Sequence, residues 1–477
     1  MRSPMRSCAL FCLFPATLVL FAALVGVVAF IGPWPVYRDT QYANQGYFRD
    51  TLTRMEASAA RSASDSEPGR LHAGWAEVDM TPPVSTPLAG YGGRPNEKRS
   101  TGIHDPVFSR AIVLSDGRNI AALVGADLLL VSPNVAELVW EDLAVDTPFT
   151  RDNILFTVTH THCGPGGFAP GLVAEMSFGA YDPAIEQFIA ETIAQSIRNA
   201  HANLAPAQFA HTRIEAPEYI RNRTNVEGVD PVLGMFVLEK DSGERCYGVR
   251  YSAHATVLPQ SFLEVSAEYA GVLVRELADR TGHMAVFLGG AVGAMGPNPP
   301  ERDTPLEQME AMGVALADRV LEHDAPLEFV DSVEVRSFGA VVGMPSMQVR
   351  IGEAPDWRFS PNLAKVVGIP TDAWIQGVRV GPIAFLGTPH DAGGAIAEPW
   401  AQEAASNGVV LWVSGHCVAY SGYLSPDKYY WEPTEGYDQW YEWRQMDWFG
   451  PDQEAMWTDL KDHTLALLGF KGGPATD

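Results

Sequence analysis

Apolar residues recur at alternate positions through residues 153–159, where Ile154, Phe156 and Val158 share one parity and Leu155 and Thr157 stand between them. That period predicts a buried strand. Residues 119–131 read as a second buried strand. Ser132-Pro133 then supplies an N-cap and a first-turn proline for a helix to about Leu143, which makes a β-α-β unit with the strand at 153–159. Asp182-Pro183 opens a second helix to about Ala202. Residues 232–240 and 245–253 predict a hairpin across Asp241-Ser-Gly-Glu244, ending on His254. A helix over 266–280 leads into a strand at 284–288, and Thr304-Pro305 starts a helix to about His323. A second hairpin, 372–380 and 383–386 about Gly381-Pro382, runs into Pro389-His390-Asp391. A strand at 409–413 precedes an aromatic, loop-rich end over 420–449. The alternation predicts an α/β fold: a single large domain, residues 71–477, with a mixed β-sheet flanked by helices.

The N-terminal pattern is different. Residues 8–31 carry no charge and are almost wholly apolar. The run is long enough, at 1.5 Å per helical residue, to cross a hydrocarbon layer of ~30 Å. A secretory signal has a shorter apolar run of about 7–15 residues. The segment therefore reads as a transmembrane helix serving as an anchor, with cleavage near Ala29 as the alternative. Arg2 and Arg6 in residues 1–7 put that end in the cytoplasm and the bulk of the chain outside it, periplasmic or extracellular. Residues 32–70, with Gly32-Pro-Trp-Pro35, a mixed polar piece with some helical character and Ser62-Ala-Ser-Asp-Ser-Glu-Pro-Gly69, read as a juxtamembrane spacer and linker.

Composition narrows the function. The net charge of −25 argues against nucleic acid as a partner and against docking on anionic lipid through a basic patch. Outside the N-terminal segment only Cys163, Cys246 and Cys417 remain, enough for one bridge at most, and no CxxC pair exists.

The candidate chemistry begins at His160-Thr-His162, followed by Gly164-Pro165-Gly166-Gly167. Histidines at i and i+2 of a strand share a face. At a strand end they can hold a metal with a position left open for water, although a pair of ordinary strand-end histidines has the same spacing. His254 and Asp391 stand at two further strand-to-loop junctions, where α/β folds place chemistry. Each has a plainer reading: His254 as a hydrogen-bonded histidine, Asp391 as the cap of a helix beginning at Ala392-Gly-Gly. Tyr423 can be a packed ring and Arg223 a surface ion pair. His390 and His416 each follow a strand and are read as structural. Residues 288–296 suggest a dinucleotide loop but lack the G-x-G-x-x-G spacing, and Pro297 prevents a helix from opening there.

Several landmarks in order resemble the catalytic domain of the neutral/alkaline non-lysosomal ceramidases. They are Ala73-Gly-Trp-Ala-Glu-Val-Asp-Met-Thr-Pro82, Gly90-Tyr-Gly-Gly93 and Gly102-Ile-His-Asp-Pro-Val-Phe-Ser-Arg-Ala111, then His160-Thr-His-Cys-Gly-Pro-Gly-Gly167. Asn222-Arg-Thr224, Tyr420-Ser-Gly-Tyr423, Tyr441-Glu442 and Phe449-Gly-Pro451 complete the set. The resemblance implies a zinc site held by His160, His254, Asp391 and Tyr423. His162 would stand beside the metal-bound water, and Arg223 and Tyr441 would line the substrate position. Asp391 occupies the place of the family's glutamate, one methylene longer. The family's serine and aspartate positions align with Gly296 and Ala294.

Zinc lowers the pKa of bound water to about 7 and polarises a neighbouring carbonyl. With His162 as general base and Arg223 or Tyr441 stabilising the oxyanion, such a site hydrolyses an amide or ester. The expectation is therefore a zinc-dependent amidohydrolase acting on an N-acylated, lipid-like substrate. The alternative is a membrane-tethered, non-catalytic lipid binder of the same fold, which Gly296 favours.

Overall fold

The computed structural model describes residues 5–470 except 33, 63–67, 93, 95–98, 225–227, 326, 352–356, 368–371 and 431–440; for 5–14, 441 and 444 it describes the backbone alone. Two mixed sheets form the body. The larger contains β1 (His72–Asp79), β2 (Phe108–Ser115), β3 (Ile120–Ala126), β4 (Ile154–Val158), β5 (Ala205–Glu215), β6 (Val232–Lys240), β7 (Arg245–Tyr251) and β8 (Met284–Gly289). Their spatial order is β8-β7-β6-β5-β1-β2-β3-β4. Only the outer pairs, β7 with β8 and β3 with β4, are parallel. The smaller sheet, β9 (Val335–Gly343), β10 (Asp372–Val380), β11 (Ile383–Gly387) and β12 (Val410–Ser414), is antiparallel except between β11 and β12. The single mixed sheet expected from the sequence is thus two. A periodicity reports which residues are buried, not which strands pair.

Strand alternation sorts the core into layers. On β2, Ile112 and Leu114 face the second sheet while Ala111 and Val113 face helices; on β4, Leu155 faces the sheet and Ile154, Phe156 and Val158 face helices. Phe236 of β6 meets Phe385 of β11 and Trp412 of β12 between the sheets, with ring centroids 6.4 and 5.8 Å away. The outer face of the larger sheet is covered by helices Pro133–Leu143 and Pro183–Ala202 at one end and by Glu268–Thr281 with Pro305–Glu322 at the other. Local chemistry starts several of these as read from the sequence. The Ser132 hydroxyl accepts from Val135 N–H, Asp182 accepts from Ala184 N–H, and Thr304 with Glu307 forms a reciprocal capping box.

The stretch expected as a spacer contains a folded element. Gly46–Ala59 is a helix against β9, with Phe48, Thr51, Met55 and Ser58 buried. Thr51 Oγ1 accepts from Gly343 N–H at 2.9 Å and Ser58 Oγ from Gly339 N–H at 3.1 Å. Burying Phe48 and Met55 contributes about 1.5–3 kcal/mol each, so this segment belongs to the body. The apolar N-terminus is helical over Met5–Phe30, and Leu18 and Phe21 are 60% and 67% exposed. Among the described residues, however, no helix is long and apolar enough to cross a membrane, so the expected transmembrane helix over 8–31 has no support there. No bridge links Cys163, Cys246 and Cys417, which are free and buried.

The larger sheet curls until its edges meet. A Cβ at Gly289, the last residue of β8, would lie 2.0 Å from the carbonyl oxygen of Val158, the last residue of β4. The absence of a side chain there brings the carboxyl ends of two edge strands together, and with them the loops that leave β4 and β7.

Candidate metal centre

His160 leaves β4 with φ +56, a left-handed conformation unusual for a residue with a side chain. Its Nδ1 lies 2.6 Å from the Leu129 carbonyl oxygen. A carbonyl can only accept, so Nδ1 carries the proton and the Nε2 lone pair is free. His254, after β7, is fixed by its backbone N–H to Met295 O at 2.9 Å, and its Nδ1 lies 3.3 Å from Val292 O. The same reasoning leaves its Nε2 unprotonated. The two Nε2 atoms are 3.0 Å apart. Two lone pairs that close repel each other unless a cation is shared between them or a donated proton engages one of them. Nitrogens bound tetrahedrally at 2.0–2.1 Å from one zinc would stand about 3.3 Å apart. Burial holds both rings well below the usual histidine range, in the neutral form a metal requires.

His162 joins the cluster in the opposite tautomer. Tyr91 N–H donates to its Nδ1 at 3.2 Å, which leaves the ring proton on Nε2, 3.0 Å from His254 Nε2. Burial, aided by Arg223, pushes this imidazole down to about 3. Gly90 makes the placement possible: a Cβ there would lie 2.6 Å from the His162 ring.

Asp391 is buried in a two-strand parallel ribbon, Asp391–Ala392 beside Tyr423–Leu424. Tyr420 donates its hydroxyl to Asp391 Oδ2 at 2.7 Å. Oδ1 lies 3.7 Å from His160 Nε2 and 3.2 Å from His416 Nε2. The helix Gly394–Ser406 begins after Gly393 with no side-chain cap, so Asp391 is not a helix cap. His160, His162 and His254 form one group able to hold a metal, and His160, Asp391 and His416 form another; within each, the donor atoms lie within 4.8 Å of one another. Among the described residues Asp391 Oδ1 and His416 Nε2 have no hydrogen-bond partner. A buried polar atom left so costs roughly 1–3 kcal/mol. The donor set, nitrogen with carboxylate oxygen, suits zinc.

Tyr423 adjoins this cluster through its register opposite Asp391. Its hydroxyl accepts from Arg223 Nη2 at 2.7 Å, and Arg223 Nε donates to buried Glu442 at 2.7 Å. Arg223 N–H donates to Ala294 O, and the Asn222 carboxamide accepts from Thr224 N–H, which sets the turn. Beside them lies a narrow cleft whose walls include Asn222, Ala294, Ala395, Tyr423, Glu442 and Trp443. Gly296 sits in the short ribbon Met295–Pro297 that pairs with Ile220–Asn222. A Cβ there would be 3.7 Å from Arg223, ordinary contact, so the position accepts a side chain.

Of the residues singled out in the sequence, His160, His162, His254 and Asp391 are brought together, and Tyr423 with Arg223 forms the adjoining pair. Tyr441 opens the short helix Tyr441–Arg444; its side chain lies outside the described residues. His390 packs edge-on to Trp457, consistent with a structural role. His416 does not: it stands in the cluster, although the sequence reading had set it aside. Tyr420 and Glu442 were quoted only as landmarks; their spacing from Tyr423 and Tyr441 was the available signal.

A model of the family described as neutral/alkaline non-lysosomal ceramidase, N-terminal, matches residues 71–227. The neutral ceramidase of Mycobacterium tuberculosis is 37% identical over 130 residues, 26% of this chain and 20% of that protein. That of Pseudomonas aeruginosa is 24% identical over 233 residues, 44% of this chain and 34% of that protein. The matches thus span a fifth to a third of these relatives' length. The crystal structure of the Pseudomonas aeruginosa neutral ceramidase superposes with a TM-score of 0.72 at 19% identity, covering 84% of this chain and 75% of that one. The order of motifs, the sequence match and the shared fold agree: residues 71–227 match the neutral/alkaline non-lysosomal ceramidase family, and the fold is similar to that of the Pseudomonas aeruginosa neutral ceramidase.

Proposed function

We propose that the chain is a zinc-dependent hydrolase that cleaves the amide bond of an N-acylated, ceramide-like lipid. The observation that carries this reading is the pair of Nε2 lone pairs of His160 and His254, 3.0 Å apart with both Nδ1 atoms tied to carbonyls. His160, His254 and Asp391 would hold the ion, with Tyr423 adjoining. A zinc ion there supplies Lewis-acid chemistry, acidifying a water and polarising an acyl carbonyl. His162 presents an N–H toward the same point and is suited to donating to the reacting oxygen. The general-base role expected of it would require the other tautomer and the loss of the Tyr91 bond. Arg223 brings a fixed positive charge to the edge of the cleft, where it favours an oxyanion.

Lipid chemistry and location belong to the same proposal. Leu18, Phe21 and Leu24, exposed on the helix Met5–Phe30, suit contact with a lipid surface, with the body on the extracytoplasmic side. One observation favours the non-catalytic binder instead: a glycine and an alanine stand at 296 and 294, where the family has serine and aspartate. Assay of the purified chain against ceramides and other N-acyl amides separates the two. Turnover that disappears in Asp391→Ala supports the hydrolase; ligand binding with no turnover on any of them supports the binder.

A further inference from the structure

Ile220–Asn222 pairs antiparallel with Met295–Pro297, and Gly296 is the Cα partner of Arg221. Residues directly opposite in such a pair share a face, as do residues two apart on one strand. Arg221, Arg223 and position 296 therefore lie on one side of the ribbon. The distances agree: a Cβ at 296 would lie 3.7 Å from Arg223 Cβ and 3.9 Å from Arg221 Cζ. This face adjoins the metal cluster, because Met295 O accepts the backbone N–H of His254 and Ala294 O accepts that of Arg223. Ala294 is also a wall of the cleft.

The two arginines differ in what already engages them. Arg223 is paired with Glu442 and donates to Tyr423. Arg221 is exposed, and its guanidinium has no ion pair or hydrogen bond among the described residues. Glycine at 296 and alanine at 294 bring neither a hydroxyl nor a carboxylate to meet it. Where the family has a serine and an aspartate, this chain thus presents open space beside a cation. Resting on the hydrolase reading above, we propose that Arg221 is a specificity-determining residue, and that the substrate is an N-acyl amide whose amine half carries an anion, a carboxylate or a phosphate. An acyl tail gains nothing beside an ion, so the polar half of the substrate is the part that meets this face. A guanidinium binds either anion through two parallel N–H donors, and the missing side chain at 296 leaves room for it. The exchange of serine for glycine then changes the substrate without abolishing turnover.

Two matched substrate pairs test this with the full-length, zinc-loaded chain. One is N-octanoylglycine against N-octanoylethanolamine in solution; the other is ceramide phosphate against ceramide in neutral detergent micelles. Fatty-acid release should give a kcat/KM at least about tenfold higher for the anionic member of a pair, the size expected of one charge-assisted contact. Preference in the first pair alone identifies a carboxylate, and in the second alone a phosphate. Arg221→Ala should abolish the preference by raising KM for the anionic member, with the neutral member nearly unchanged, and Arg221→Lys should restore part of it. A merely structural role would lower both members alike. Neutral members turned over as well as anionic ones, or a preference that survives in Arg221→Ala, would overturn the proposal and leave the hydrolase reading standing. No turnover of any of the four substrates would remove the hydrolase reading and this proposal with it. The wild-type comparison needs no variant, so an Arg221→Ala chain that failed to fold would still leave the anion preference decided.

Discussion

Asp391 and Tyr423 are Cα partners in a parallel ribbon of two residues per strand. This contact joins two halves of the site: the imidazole cluster on one side and the Tyr423–Arg223–Glu442 chain on the other. Because both strands are so short, the register is held by what surrounds it, chiefly Asp391 N–H to Gly422 O and Tyr423 N–H to Met446 O.

Asp391→Ala should therefore act on chemistry more than on folding. It removes an oxygen donor from the cluster and leaves the Tyr420 hydroxyl without its acceptor, a cost of about 1–3 kcal/mol. Zinc content and turnover are expected to fall together, while urea denaturation shows only that modest loss.

Arg223→Ala should be harder on the fold. Glu442 is 1% exposed and would lose its guanidinium partner. Removing one member of a buried ion pair destabilises by about 3–5 kcal/mol. Arg223→Lys keeps the charge but offers one nitrogen where the guanidinium spans Glu442 and Tyr423 with two, and should recover stability better than activity.

Gly289→Ala tests how the site is assembled. The new methyl would collide with Val158 O, and strain of this kind costs typically 1–3 kcal/mol. Since β4 delivers His160, zinc affinity should drop along with the melting temperature. Unchanged affinity would mean that the edge contact does not set the histidine spacing.

Gly296→Ser should fold, because the added Cβ meets only ordinary contacts, the nearest at 3.7 Å; a stability loss of about 1 kcal/mol is expected. If the hydrolase reading is right, the returned hydroxyl raises kcat/KM on ceramide more than on N-acyl amides without a free hydroxyl. Parallel rate measurements on the two substrates check this.

Glu268, fully buried at φ +62, is pushed up to about 8 by burial, against two backbone N–H donors. The folded chain then keeps a proton that the unfolded chain releases near 4.5. This contribution is full below that pH and declines as pH rises toward 8, with a slope of at most about 1.4 kcal/mol per unit. Denaturation midpoints across that window should show the decline, and Glu268→Gln should flatten it.

How much was legible in the sequence varied with the kind of interaction. The hairpin strand Val232–Lys240 and the helix Pro133–Leu143 were readable from alternation, Ser132 and Pro133, because local rules decide them. The pairing of strands into two sheets was not, since β5 joins β1 across more than a hundred residues of chain. Gly46–Ala59 looked like a spacer because its four buried side chains include two polar ones, Thr51 and Ser58, whose partners Gly343 and Gly339 lie far away. His160, His254 and Asp391 were findable from strand ends and motif order. His416 was not, because a histidine after a strand gains meaning only once Asp391 is seen to face it.

The most direct test is to measure zinc in the purified full-length chain together with hydrolysis of an N-acyl lipid, before chelation, after it and after zinc is restored. The account predicts close to one zinc per chain, loss of turnover with the metal and recovery on its return. Hydrolysis that continued undiminished in metal-free protein would contradict it.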